Sequence, residues 1–156
     1  MKIENLDKMQ LESLIKEVLA EKLTQMGQQA GHKVCAPSGV CAVKLPQISV
    51  TEQDRLDTGR AADRVYTHDL LTLQESPRLG CGLMEMRDTT FDWRLEYDEI
   101  DYIIEGTLTI ITGGCRTTAH AGELIYIPKG SSIQFSVDGY ARFLYVTYPA
   151  DWQNQA

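Results

Sequence analysis

The chain has 156 residues, 43% of them hydrophobic, enough for one domain of ordinary size with a packed core and a short appendage. Its 15 basic and 22 acidic side chains leave a net charge of −7, which argues against nucleic acid or an anionic membrane as partner. No apolar run reaches the ~18 residues of a membrane span. The alternating charges of residues 1–8 lack the apolar block of a secretory signal, so a cytoplasmic protein is expected.

In the N-terminal segment, 1–26, the spacing predicts one amphipathic helix over 5–26. Leu11, Leu14, Ile15 and Val18 fall at i, i+3, i+4 and i+7, with Leu19, Leu23 and Met26 along the flank. Asn5 suits the N-cap and Gly27 the stop. Glu12 and Lys16 form a favourable i, i+4 pair. Residues 27–42 turn to Gln, Gly, Pro, Ser and Ala, the composition of a linker. A helix held off by a linker cannot bury its stripe locally. Leu11, Leu14, Ile15, Val18 and Leu19 are therefore candidate partner-binding residues, with packing on a barrel of this chain or of a dimer mate as the alternative.

From Val43 the pattern shortens to strands at 43–50, 64–74, 81–87, 91–97, 100–105, 107–112, 115–119, 123–127, 131–137 and 140–148. They are rich in Ile, Val, Thr, Tyr and Phe and are separated by Gly, Pro or Asp. Gly113-Gly114 and Asp138-Gly139 are hairpin signals, and Pro128-Lys129-Gly130 suits a tight turn. Many short strands without helices between them predict an all-β domain over 43–152, with 153–156 as a tail. The four cysteines, Cys35, Cys41, Cys81 and Cys115, form no Cys-x-x-Cys pair. They are too loosely spaced for zinc and too sparse for a disulfide scaffold, so reduced thiols are expected.

Glu99, Gly106, Gly122, Pro128 and Gly130 stand in the frame of the two cupin motifs, and the chain resembles that superfamily of small jelly-roll β-barrels. The resemblance implies a metal held by imidazoles, yet the expected histidine positions carry Trp93 and Leu95, or Asp92 and Arg94, and Ile133. The three histidines present, His32, His68 and His120, match none of them. One carboxylate, Glu99, is left of the ligand set. It could help hold Mg²⁺ beside a phosphate-bearing substrate, but no stable transition-metal site is expected.

Residues 91–101 crowd aromatics and acids together. If they form a strand, a turn and a strand, Trp93, Leu95 and Tyr97 share one parity, and Glu99 and Asp101 share the matching one. An aromatic wall with two inward carboxylates suits acid–base work or a cation clamp. Exposed turn acids beside core aromatics are the plainer reading. No P-loop, dinucleotide fingerprint or nucleophile elbow is present.

Tyr97-Asp-Glu-Ile-Asp101, Ile127-Pro-Lys-Gly-Ser-Ser-Ile-Gln-Phe135, Arg142-Phe-Leu-Tyr-Val146 and Pro149-Ala-Asp-Trp152 are similar to blocks of the EutQ family, over about residues 43–152. The resemblance implies a part in ethanolamine utilisation at a bacterial microcompartment and acetate kinase activity with ATP and Mg²⁺. It also implies an N-terminal helix that docks on a shell or enzyme partner. Charge and expected parity then nominate Glu99, Asp101 and Arg94 as catalytic, Trp93, Tyr97, Lys129 and Arg142 as substrate-binding, and Glu99 as a weak Mg²⁺ ligand. A homodimer is expected by analogy with cupins. The competing reading is a degenerate, non-catalytic cupin that acts in microcompartment assembly or targeting.

Overall fold

Residues 12–19 form a helix, α1, in the computed structural model, which describes residues 12–19 and 31–154. The rest of the helix expected at 5–26, Leu11 included, lies outside the described residues. Two compact units divide the chain, Met1–Ser49 and Val50–Ala156.

In the first unit every residue of α1 is exposed. The stretch expected as a linker instead contains structure. β1 (Lys33–Cys35) pairs antiparallel with β2 (Cys41–Val43). The Ala36 N–H donates to Val40 O at 2.8 Å and the Gly39 N–H to Ala36 O at 2.9 Å, which closes the turn between them. Strands of three residues are too short to leave a period in the sequence. The hairpin sets Cys35 opposite Cys41, and the two are disulfide-bonded, which corrects the expectation of reduced thiols for this pair. Cys81 and Cys115 are free thiols. The strand expected at 43–50 also fails. Leu45–Gln47 is a 3-10 turn with Pro46 at its start, where a residue with no N–H suits a helical turn better than a ladder.

In the second unit the strands are β3 (Arg64–Asp69), β4 (Gly80–Arg94), β5 (Asp98–Thr112), β6 (Cys115–His120), β7 (Leu124–Ile127) and β8 (Ser132–Tyr148). They pair antiparallel in the order β3-β4-β8-β5-β6, with β7 on β5. Burial alternates along β5, β7 and β8, the period-2 signature of a sheet with one dry face. Val65, Phe91, Ile103, Ala119, Ile125 and Phe143, drawn from all six strands, meet in one core. The sheet is therefore rolled around that core. Phe91, Phe135 and Phe143 stack through it with ring centroids 5.4 and 6.4 Å apart.

Three pairs of expected short strands run on as β4, β5 and β8. Register shifts between Arg87 and Thr89 on β4, and between Ile103 and Glu105 on β5, let each strand bend instead of ending. Asp138-Gly139, read as a hairpin, lies inside β8. There the Gly139 N–H donates to Asp88 Oδ1 at 2.8 Å. Gly113-Gly114 does make the β5–β6 turn, with φ of 55° and 81°, the left-handed pair such a turn requires. The strand expected at 64–74 stops at Asp69, because the N–H groups of Leu70 and Leu71 both turn back to Cys81 O.

Candidate functional site

β5 carries Glu99, Asp101 and Ile103 at alternate inward positions. Glu99 faces Ile127 on β7 and Thr147 on β8, and Asp101 faces Ile125 and Tyr145. Glu99 is 4% exposed and Asp101 0%. Burial raises the Glu99 carboxyl to about 7, with hydrogen bonding from Asp101 and Tyr97 restraining the rise. Burial, and then the charge of Glu99, pushes Asp101 well above the usual carboxylate range. Two carboxylates this dry and this close cannot both ionise, so the pair holds at least one proton near neutral pH. Glu99 Oε1, both carboxyl oxygens of Asp101 and Thr147 Oγ1 are buried with no donor from any group outside this cluster, so at these oxygens the two carboxyls have only each other and the proton they share. Buried polar atoms without partners cost about 1–3 kcal/mol each, which marks a place where a ligand or water belongs.

The surrounding side chains are donors and rings. Trp93 Nε1 donates to the Tyr97 hydroxyl at 2.8 Å. This leaves the phenolic hydrogen of Tyr97 for the carboxyl of Glu99, its hydrogen-bonding neighbour. The Tyr145 hydroxyl donates to Asp69 Oδ1 at 2.5 Å. Burial first, then the neighbouring acids, raise both phenols, so they stay protonated. Tyr145 crosses over Gly82, where a Cβ would lie 2.1 Å from its hydroxyl oxygen, so β4 must be bare at that point.

Glu99, Tyr97 and Tyr145 share a cavity with Phe91, Trp93, Phe135 and Trp152, and its free volume is about 10 Å³. That is room for about one water. Leu56, Trp93 and Trp152 also line a cleft of about 550 Å³, so the cavity and the cleft adjoin across these three side chains. The cleft is faced by Asp54, Asp57, Thr67, Asp69 and Arg55. Its volume lies in the ordinary range for a small-molecule site. Arg55 is held by Nη2 bonds to Ala61 O and Asp63 O, 2.6 and 2.8 Å. Burial works to raise Asp54, but His68 Nδ1 at 2.8 Å and Thr51 outweigh it and hold this carboxyl low.

Glu99, Asp101, Trp93 and Tyr97 thus come together as the sequence parity requires. The three cations do not join them. Arg94, expected beside the carboxylates, takes the opposite parity to Trp93 and is paired outside with Glu96 at 2.5 Å. Lys129 is exposed on the β7–β8 turn, where its N–H donates to Asp98. Arg142 lies between inward Ala141 and Phe143, on the other face of β8, and pairs with Glu85. Sequence reasoning missed Tyr145, Asp69, Thr147 and Trp152. Gly82 on the strand expected at 81–87, with Gly80 just before it, was the available signal for the first and third, because such glycines admit a side chain from the next strand. Of the stripe expected to meet a partner, Leu14, Ile15, Val18 and Leu19 are described and are 47–55% exposed.

The metal that the cupin frame implies does not fit here. Trp93, Leu95 and Ile133 fill the positions where imidazoles would point inward, and the latter two are buried in the core. Mg²⁺ does not fit beside Glu99 either, because it keeps several waters and the cavity holds about one.

The family described as ethanolamine utilisation protein EutQ matches residues 6–154. The acetate kinase EutQ of Clostridioides difficile (strain 630) is 56% identical over 156 residues, 99% of each chain. A solved structure of the Clostridium difficile EutQ protein is 64% identical with a TM-score of 0.78, covering 80% of this chain and 90% of that one. A cupin superfamily protein from Desulfitobacterium hafniense, 15% identical with a TM-score of 0.51, covers 66% and 84% and shares the fold alone.

Proposed function

This chain belongs to the EutQ family of ethanolamine utilisation proteins, and from that premise we propose that it is an acetate kinase, interconverting acetate and ATP with acetyl phosphate and ADP. The observation that carries the proposal is 56% identity, end to end, with a protein named for that activity. A carboxylate oxygen of acetate forms a bond to the γ-phosphorus while the bond from that phosphorus to the ADP oxygen breaks. Such a transfer asks the protein mainly for positioning and charge balance. The cleft that contains Arg55 has the volume for the nucleotide, and Mg²⁺ enters with the polyphosphate as part of the substrate. The polar floor of the adjoining cavity supports a site at this mouth of the barrel.

The test is acetyl phosphate formation from ATP, acetate and Mg²⁺, with protein from a host lacking its own acetate kinase. Turnover is expected, and Glu99→Leu, which keeps the bulk and removes the polar group, is expected to lower it by about 100-fold. A purified chain with no turnover in either direction would sink the reading.

The exposed stripe of α1 supports docking on a microcompartment partner, as amphipathic helices do in grooves. The outer face of β5 and β7 presents Ile100 against Tyr126 and Tyr102 against Leu124, each 42–60% exposed. This apolar patch suits a second copy of the chain. Light scattering should find a dimer that Tyr126→Glu splits, and a wild-type monomer would refute the assignment.

A further inference from the structure

The small cavity beneath the cleft has features that neither a packed core nor a metal centre explains. Its walls are rings, those of Phe91, Trp93, Phe135 and Trp152. Its floor is Glu99, and the carboxyl of Asp101 and the hydroxyl of Thr147 lie at neighbouring inward positions, with no donor reaching these oxygens from outside the cluster. A core would place apolar atoms there, because an apolar residue of the same shape removes the desolvation cost. The free space admits one polar atom and little more. Among the described residues no Lys or Arg lines it, so an anion that enters is met by neutral donors.

We propose that this cavity is the acyl subsite: a short carboxylate enters oxygen first, and that oxygen accepts a hydrogen bond from the carboxyl of Glu99. The assignment deepens the acetate kinase reading and rests on it. The second oxygen of the carboxylate is left facing the cleft, where the phosphorus lies, and the methyl group meets Leu56, Trp93 and Trp152, the side chains that line both spaces. In acetyl phosphate the carbonyl oxygen takes the same place. A carboxylic acid kept neutral in a dry pocket is a strong donor to such an oxygen. An ionised Glu99 would instead repel it.

Protonation therefore gates binding. Glu99 titrates near 7, and the groups that face it decide how. Asp101 on the same strand is protonated more firmly. Tyr97 and Tyr145 stay neutral, and Asp69 acts through Tyr145. β7 presents only Ile125 and Ile127. Free acetate is ionised throughout this range. As pH rises through about 7, Glu99 loses its proton and the subsite rejects the anion.

The experiment measures the KM for acetate, with ATP and Mg²⁺ saturating, from about pH 6 to pH 8. The wild-type value is expected to rise about 10-fold across that range, as one ionisation near 7 requires. Glu99→Gln, whose amide is a neutral donor at every pH, is expected to keep a low and flat KM. Glu99→Leu is expected to raise it at all pH values. Saturation-transfer NMR with acetate alone repeats the series without turnover. An active wild type with a flat KM, or an equal slope in Glu99→Gln, overturns the subsite and leaves the kinase standing. Acetate binding with the expected pH dependence but no turnover keeps the subsite and removes the kinase.

Discussion

Replacing Glu99 with Gln should remove a pH dependence of stability that the wild-type fold carries. The Glu99 carboxyl ordinarily titrates at 4.5 and is raised to about 7 by burial. The native state thus keeps a proton that the unfolded chain gives up across that window. Stability is fully present below about pH 4.5 and is lost as pH rises to about 7. At 1.36 kcal/mol for each pH unit, the loss is about 3 kcal/mol, with Asp101 extending it to higher pH. The carboxyls held low act elsewhere: Asp54 and Asp98 contribute stability above the usual carboxylate range and lose it as pH falls through their lowered values. Urea unfolding at about pH 5 and pH 8, followed by the fluorescence of Trp93 and Trp152, isolates the Glu99 window. The wild type should be weaker at the higher pH by about 3 kcal/mol, and Glu99→Gln should show a much smaller difference. Equal differences in the two proteins would mean that Glu99 is ionised in the fold, and the proton-holding pair would be refuted.

Gly82→Ala drives a Cβ to 2.1 Å from the Tyr145 hydroxyl, so it should cost about 1–3 kcal/mol in thermal unfolding and loosen the Tyr145–Asp69 bond; an unchanged midpoint would show that Tyr145 does not cross β4 there. Val18→Asp alters a residue 48% exposed on α1, so the unfolding of the second unit should move by no more than about 0.5 kcal/mol while co-localisation with a microcompartment is lost; retained co-localisation would release the stripe from a docking role.

The parity of residues 93–101 was legible because an alternating strand fixes which side chains share a face, and that alone brought Trp93, Tyr97, Glu99 and Asp101 to one place. The cations misled, because the inward parity expected of them does not hold. Arg94, Lys129 and Arg142 are suitable phosphate partners by type, yet each satisfies itself away from the cavity, two with local acids and one on a turn. The Tyr145–Asp69 pair spans 76 residues and leaves no local period to read. Turn residues misled for a related reason. Asp138-Gly139 has the chemistry of a hairpin, but the carboxylate of Asp88 on the neighbouring strand takes the Gly139 N–H and lets β8 continue through the bend.

The same substitutions that remove the metal site account for the proton site. In a cupin-type cavity a cation stabilises the ionised form of an inward carboxylate, and imidazoles keep the surroundings polar. Here Trp93, Leu95 and Ile133 stand at those positions. They supply neither charge nor water, so Glu99 keeps its place on the barrel wall and ionises only at a pH well above the usual carboxylate range. Asp101, one inward step along β5, adds a second acid to the same dry volume and raises the cost of charge further. Such a wall suits a hydrogen-bond donor in place of a Lewis acid. That donor is the partner that the proposed acyl subsite asks for.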